Sequence, residues 1–213
     1  MESLREQAAT ERNRVTVIPD SQRPRDPVGR RAPNGKDLLL WAATLLAFPL
    51  AGLTARAVAG PVDTVWTAVV AGAVAGVVIG AAQLLALRRV GMADVRWIVA
   101  TAAGLAGGLG LAFAVFGYGT TIGDLAVVGA VSGLGIGIAQ WLLLRDRVDG
   151  SLAWIPATSA AWALGWTVTT SIGVDPDDRW AVPGLSGAAT LTLLLGGVLW
   201  ALARSGPHDR TAR

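Results

Sequence analysis

The sequence predicts an all-α membrane protein: six transmembrane helices with a duplicated parallel helical hairpin, spans two–three and four–five, in an expected pseudo-threefold bundle. Three observations point to it. Hydrophobic residues make up 53% of the 213 residues and charged residues 15%, where a soluble domain carries about 25% charge; the mean hydropathy is +0.51. The apolar residues are gathered into long runs with the charges between them. One pair of runs repeats another in register.

Residues 1–36 are unlike the rest. They hold eight basic residues, five acidic ones and four prolines. Few large apolar side chains are present to offset the ordering entropy of the chain. The expectation is a disordered basic cytoplasmic tail, with Ser3 and Glu6 at capping-box spacing for a short helix near Glu6–Arg14.

A transmembrane domain is expected over residues 37–203. The runs are Leu38–Val58, Val65–Leu87, Trp97–Phe116, Ile122–Leu144, Leu152–Ile172 and Ala181–Ala203, and no central stretch contains Lys, Arg, Asp or Glu. About 20 apolar residues at 1.5 Å each cross a hydrocarbon core of about 30 Å. Lipid offers the backbone no partners, so helices are the economical solution. Pro49 predicts a kink in the first run. Ala57-Val58-Ala59 has small-residue spacing for signal peptidase, but the preceding tail and apolar stretch are long for a signal peptide, so an uncleaved span is expected. Residues 204–213 form a short C-terminal tail containing the single His, His208.

The Lys/Arg bias sets orientation. With both termini cytoplasmic, 16 basic residues lie inside and only Arg56 and Arg179 outside. The outer loops carry Asp63, Asp124, Asp175, Asp177 and Asp178. Trp41, Trp97, Trp141, Trp154 and Trp200 fall at inner ends and Trp66 and Trp180 at outer ends, which predicts an aromatic belt.

The repeat has an offset of 57 residues. Gly72–Arg88 matches Gly129–Arg145 at 11 of 17 positions, and Trp97–Gly108 matches Trp154–Gly165 at seven of 12. Both copies run out-to-in and then back, so they are parallel repeats about an axis along the membrane normal. The sixth and first spans have the right directions for a third hairpin, with Gly196 and Arg204 where Gly80 and Arg88 would fall and Leu199 in place of the Gln.

Gly72, Gly76 and Gly80 recur every fourth residue, as do Gly129, Gly133 and Gly137. They predict a helix-packing seam that lets another backbone approach. Gln83 and Gln140, the Gln residues of the spans, lie near those faces. They are either interhelical glue or a paired polar site lining a cavity. Thr167, Thr169, Thr170 and Ser171 suit hydroxyl bonds back to helix carbonyls. Asp175-Pro-Asp177-Asp178 reads as a solvated loop. Arg88, Arg89, Arg145 and Arg147 suit helix C-termini and anionic head groups, and mark topology and lipid contact.

Without Cys and with one His, thiolate, Cys-ligated metal and His-based chemistry find no support. No Ser or Thr in the spans has a His or Lys near it to act as base, so no enzyme activity, cofactor or metal is expected. The expected partners are the lipid bilayer, anionic lipid at the cytoplasmic arginines, and a second copy or another membrane protein. The tail lacks interleaved aromatics, so nucleic acid is not expected.

The repeated G-x-x-x-G-x-x-x-G-x-x-Q-(W/L)-L-x-L-R run, followed by Trp-Ile-x-Ala-Thr, resembles a pattern in uncharacterised bacterial polytopic membrane proteins, chiefly actinobacterial and cyanobacterial. It covers residues 72–108 and 129–165. The resemblance implies a multi-span protein of the bacterial cytoplasmic membrane and brings no activity or ligand. Two functions follow as expectations: a structural, interaction or assembly role, or a permease or channel for a small uncharged solute. Ion-coupled transport is disfavoured, because intramembrane ionisable groups normally carry it.

Overall fold

A computed structural model describes residues 34–173 and 179–204. The N-terminal tail with its short helix, the Asp175–Asp178 loop and the C-terminal tail with His208 lie outside the described residues. The described chain contains six long helical segments: α1 Gly35–Ala59, α2 Val65–Leu87, α3 Arg96–Phe116, α4 Ile122–Leu144, α5 Trp154–Ser171 and α6 Leu185–Arg204. Five of them, all but α5, are long and apolar enough to cross a membrane, which fits an integral membrane protein. The 18 residues of α5 include three Trp, a Pro and several hydroxyls that dilute its apolar character.

Local chemistry explains where the helices begin and end. Asn34, Thr64 and Thr121 open α1, α2 and α4 with reciprocal capping boxes to Asp37, Thr67 and Asp124. Each box satisfies amide groups that a helix start leaves without partners. It also explains why Asp124 stands at the edge of an apolar run: a carboxylate is favoured in a first turn. At the same end, Gly60 and Gly117 terminate α1 and α3 with φ of 76° and 70°, a region side-chain-bearing residues avoid. The expected irregularity in α1 is present. A 3-10 turn, Thr44–Leu46, contains Leu45, whose carbonyl lies four residues before Pro49 and is the one its ring cannot accommodate.

Helices adjacent in sequence are adjacent in space, and α1 also meets α6. The inner faces of α1, α3 and α5 carry a common register. Thr44, Phe48, Gly52 and Ala55 are buried, as are Thr101, Leu105, Leu109 and Ala112, and Thr158, Trp162, Trp166 and Thr169. Each position differs from its counterpart by 57 residues. Phe48 and Trp162 meet at 6.0 Å between ring centroids.

The tryptophans depart in part from the expected belt. Trp66 is exposed, but Trp97 and Trp154 are 0% exposed and Trp41 is buried. Each of these indoles finds a hydrogen-bond acceptor inside the bundle, which outweighs the attraction of an interfacial position.

Candidate functional site: the Gln–Trp clamp and the glycine seams

The glycine strips are close backbone crossings within the molecule. A Cβ on Gly72 would lie 2.8 Å from the Leu105 carbonyl oxygen, and one on Gly76 would lie 2.5 Å from the Ala102 Cα. Gly80 would strike Ile98 Cα at 3.0 Å, so the whole strip faces α3. On α4 the pattern recurs against α5: Gly129 with the Trp162 carbonyl at 2.7 Å, Gly133 with that of Thr158 at 2.6 Å, and Gly137 with Ile155 Cα at 3.0 Å.

The sequence reading missed a second kind of seam, between α3 and α4. A Cβ on Gly104 would lie 2.6 Å from Ile136 Cα, one on Gly108 2.8 Å from Ser132 Cα, and one on Gly135 2.5 Å from the Gly104 carbonyl. Gly104 and Gly108 stand four residues apart on α3, the spacing of the other strips, and that spacing is the signal that could have found this seam. A further crossing joins Gly165 of α5 to Gly187 of α6.

Tight crossings bring Gln83 and Gln140 together. Both are buried, at 5% and 1% exposure. Trp97 Nε1 donates to Gln83 Oε1 at 3.0 Å, and Trp154 Nε1 donates to Gln140 Oε1 at 2.9 Å. An indole nitrogen can only donate, so the amide atom facing it must be the oxygen. The Gln140 amide nitrogen then donates to Thr101 Oγ1 at 2.9 Å and to Gln83 Oε1 at 3.3 Å. Thr101 passes its own proton to the Trp97 carbonyl at 2.8 Å, and Thr158 does the same to the Trp154 carbonyl at 2.7 Å. The two indoles pack at 6.4 Å between centroids.

Four helices, α2 to α5, are therefore joined by one buried polar chain of uncharged groups. In a low-dielectric interior such networks are strong when satisfied and costly when broken. Neither of the two cavities described for the bundle is lined by Gln83 or Gln140.

The α6–α1 pair is built differently. Leu199 stands where an amide would be, and Trp41 Nε1 donates instead to the Thr192 carbonyl at 2.7 Å. Gly196 accommodates the indole: a Cβ there would lie 2.7 Å from Trp41 Cδ1. Thr44 returns its proton to the Trp41 carbonyl at 2.6 Å. That is three residues back rather than four, and it coincides with the 3-10 turn.

At this same end of the helices, Arg88, Arg89 and Arg145 are exposed, whereas Arg147 reaches across to Asp94 in the α2–α3 connection. Arg96 joins the same carboxylate at 2.7 Å. These two guanidinium groups hold the Asp94 carboxyl well below the ordinary carboxylate range, chiefly through their hydrogen bonds. Thr167, Thr170 and Ser171 bond back to the carbonyls of Ala163, Trp166 and Thr167; Thr169 does not, and its hydroxyl has no hydrogen-bond partner.

No family model matches the chain, and no curated protein and no solved structure matches it.

Proposed function

We propose that this chain is a six-span protein of a bacterial cytoplasmic membrane, with both termini cytoplasmic, that serves as a structural, interaction or assembly element. In this reading α2–α3 and α4–α5 are duplicated hairpins and α6–α1 completes a pseudo-threefold ring. The observation that supports the role most directly is the buried clamp. Its carbonyl oxygens accept from Trp97, Trp154 and Gln140, and a permeation path would need such groups turned toward a passage. The recurrence of buried positions at 57 residues supports the ring. The resemblance to bacterial polytopic proteins supports the compartment.

The test is solute flux beside partner capture. Proteoliposomes containing the full chain should swell in glycerol or urea at the rate of protein-free vesicles. Cross-linking in native membranes should yield a discrete species containing a second copy or another membrane protein. Glycerol flux that disappears in a Gln83→Leu/Gln140→Leu variant would establish the channel instead.

A further inference from the structure

A second feature lies toward the end of the bundle bearing Thr64 and Thr121, away from the clamp, and it begins with a departure from the repeat. Gly72, Gly76 and Gly80 on α2, and Gly129, Gly133 and Gly137 on α4, have Ala188, Thr192 and Gly196 as their counterparts on α6. Only the last of these is glycine. There the α6–α1 pair closes tightly, and a Cβ on Gly196 would lie 2.7 Å from Trp41 Cδ1. At the other two levels a buried side chain stands where the hairpins have none, so α1 cannot approach as α3 and α5 do. The 3-10 turn Thr44–Leu46 and Pro49 also interrupt α1 just past the closed crossing. Accordingly, α1 meets α6 mainly through its first half and only sparsely beyond Ala47.

The space left between them is a cavity of about 400 Å³, within the usual range of about 300–1,000 Å³ for small-molecule sites. Phe48, Leu125 and Pro183 are among its walls. Three lining residues, Pro49, Leu53 and Leu185, are exposed, and they mark a mouth on the flank of the bundle. The segment 180–184 roofs the cavity. Ala181, Val182 and Pro183 are buried, and Trp180 and Val182 stand 3.3 Å from where a Cβ on Gly52 would be. Pro49 and Leu53 precede the end of α1 at Ala59 by ten and six residues, about 15 and 9 Å along a helix. The mouth therefore lies at hydrocarbon depth rather than among head groups. Its lips continue the apolar surface that the long helices present to a bilayer.

We propose that this cavity seats one hydrocarbon chain of a bilayer lipid, entering sideways past Leu53 and Leu185. Water is a poor occupant, because an apolar wall gives it no partners. Vacancy forfeits dispersion contacts over the lining. The medium at the mouth is lipid chains, and a methylene chain meets Phe48, Leu125 and Pro183 with no polar group to desolvate. The site selects the chain by shape and makes no demand on the head group.

The test uses the full chain in phosphatidylcholine vesicles containing a phosphatidylcholine with a diazirine in one acyl chain. A seated chain leaves more slowly than one at the open surface, so photolysis should label 48–53 and 180–185 at least about threefold above the exposed faces of α3 and α6. Leu53→Trp fills the mouth from an exposed position and should remove that excess. Val99→Trp, equally exposed on α3, should leave it unchanged. Because the chain has no Cys, Leu53→Cys reports what else reaches the mouth. An impermeant maleimide should leave it unmodified under conditions that label Asp63→Cys, and oxidation should yield no disulfide-linked dimer. Even labelling over all lipid-facing helices, or an excess that survives Leu53→Trp, would overturn the proposal. Ready modification of Leu53→Cys would make the cavity an aqueous one, and a dimer linked through it would assign the mouth to a second copy; either result also overturns the proposal. None of these outcomes depends on the role proposed for the clamp.

Discussion

Gln83 accepts two protons on one oxygen, from Trp97 and from Gln140. Replacing it by Leu leaves an indole donor unpaired in a dry interior. Interhelical hydrogen bonds in membranes average about 0.6 kcal/mol, but an orphaned buried donor costs about 1–3 kcal/mol. Gln83→Leu should therefore lower unfolding stability in detergent by about 1–3 kcal/mol. Adding Trp97→Phe removes the orphan. The double variant should be less destabilised than the sum of the singles, with a coupling of about 1 kcal/mol in a double-mutant cycle. Strict additivity would show that the pair does not interact. The sequence made the two Gln conspicuous but not their partners. The spacing of 14 between each Gln and its Trp was visible in both copies. Their position at the inner ends of the runs nonetheless suits the membrane interface equally well, and only the closed hairpin brings an acceptor to each indole.

At the scale of elements, the seams decide what can pack against what. Gly76→Leu and Gly133→Leu must push apart backbones already in contact, a strain that costs about 1–3 kcal/mol or more. Gly107, exposed on α3, would meet nothing within 4 Å. Gly107→Leu should leave Tm within a degree or two of the wild type, while the seam variants lose many degrees or fail to fold. A similar loss at Gly107 would mean that general intolerance to Leu, rather than the crossings, sets the effect. The helix boundaries were largely legible, since the apolar runs of spans two and four coincide with α2 and α4 to the residue. The α3–α4 crossing is less so: Gly104 and Gly108 keep a four-residue spacing on α3, but nothing in the all-round apolar α4 marks the face they meet.

For the whole molecule, the helical bundle places the loops 60–64 and 117–121 at one end and the Asp94–Arg147 pair at the other. Because the chain has no Cys, single substitutions report sidedness cleanly. In intact cells an impermeant maleimide should label Asp63→Cys, and Arg89→Cys only after the membrane is opened. The reverse pattern would invert the proposed topology. The Lys/Arg bias pointed to this arrangement, and the repeat pointed to two of the three helix pairs. The third pair was hard to see for a definite reason. Its inner-face positions keep the 57-residue step from Thr44 to Thr101. Its indole is one residue out of step and bonds a carbonyl rather than an amide, so an ungapped comparison loses it.

Trp41 and the carbonyl it binds are 151 residues apart. Synthesis delivers α1 before α6, so this contact becomes available only after the four helices between them have been made. The two central hairpins can close while translation continues, each completed by its own neighbour. The inner face of α1 has no such early completion on the α6 side. The α1–α6 contact therefore carries a built-in order of assembly, and truncation before α6 leaves Trp41 without its acceptor however well the rest has folded.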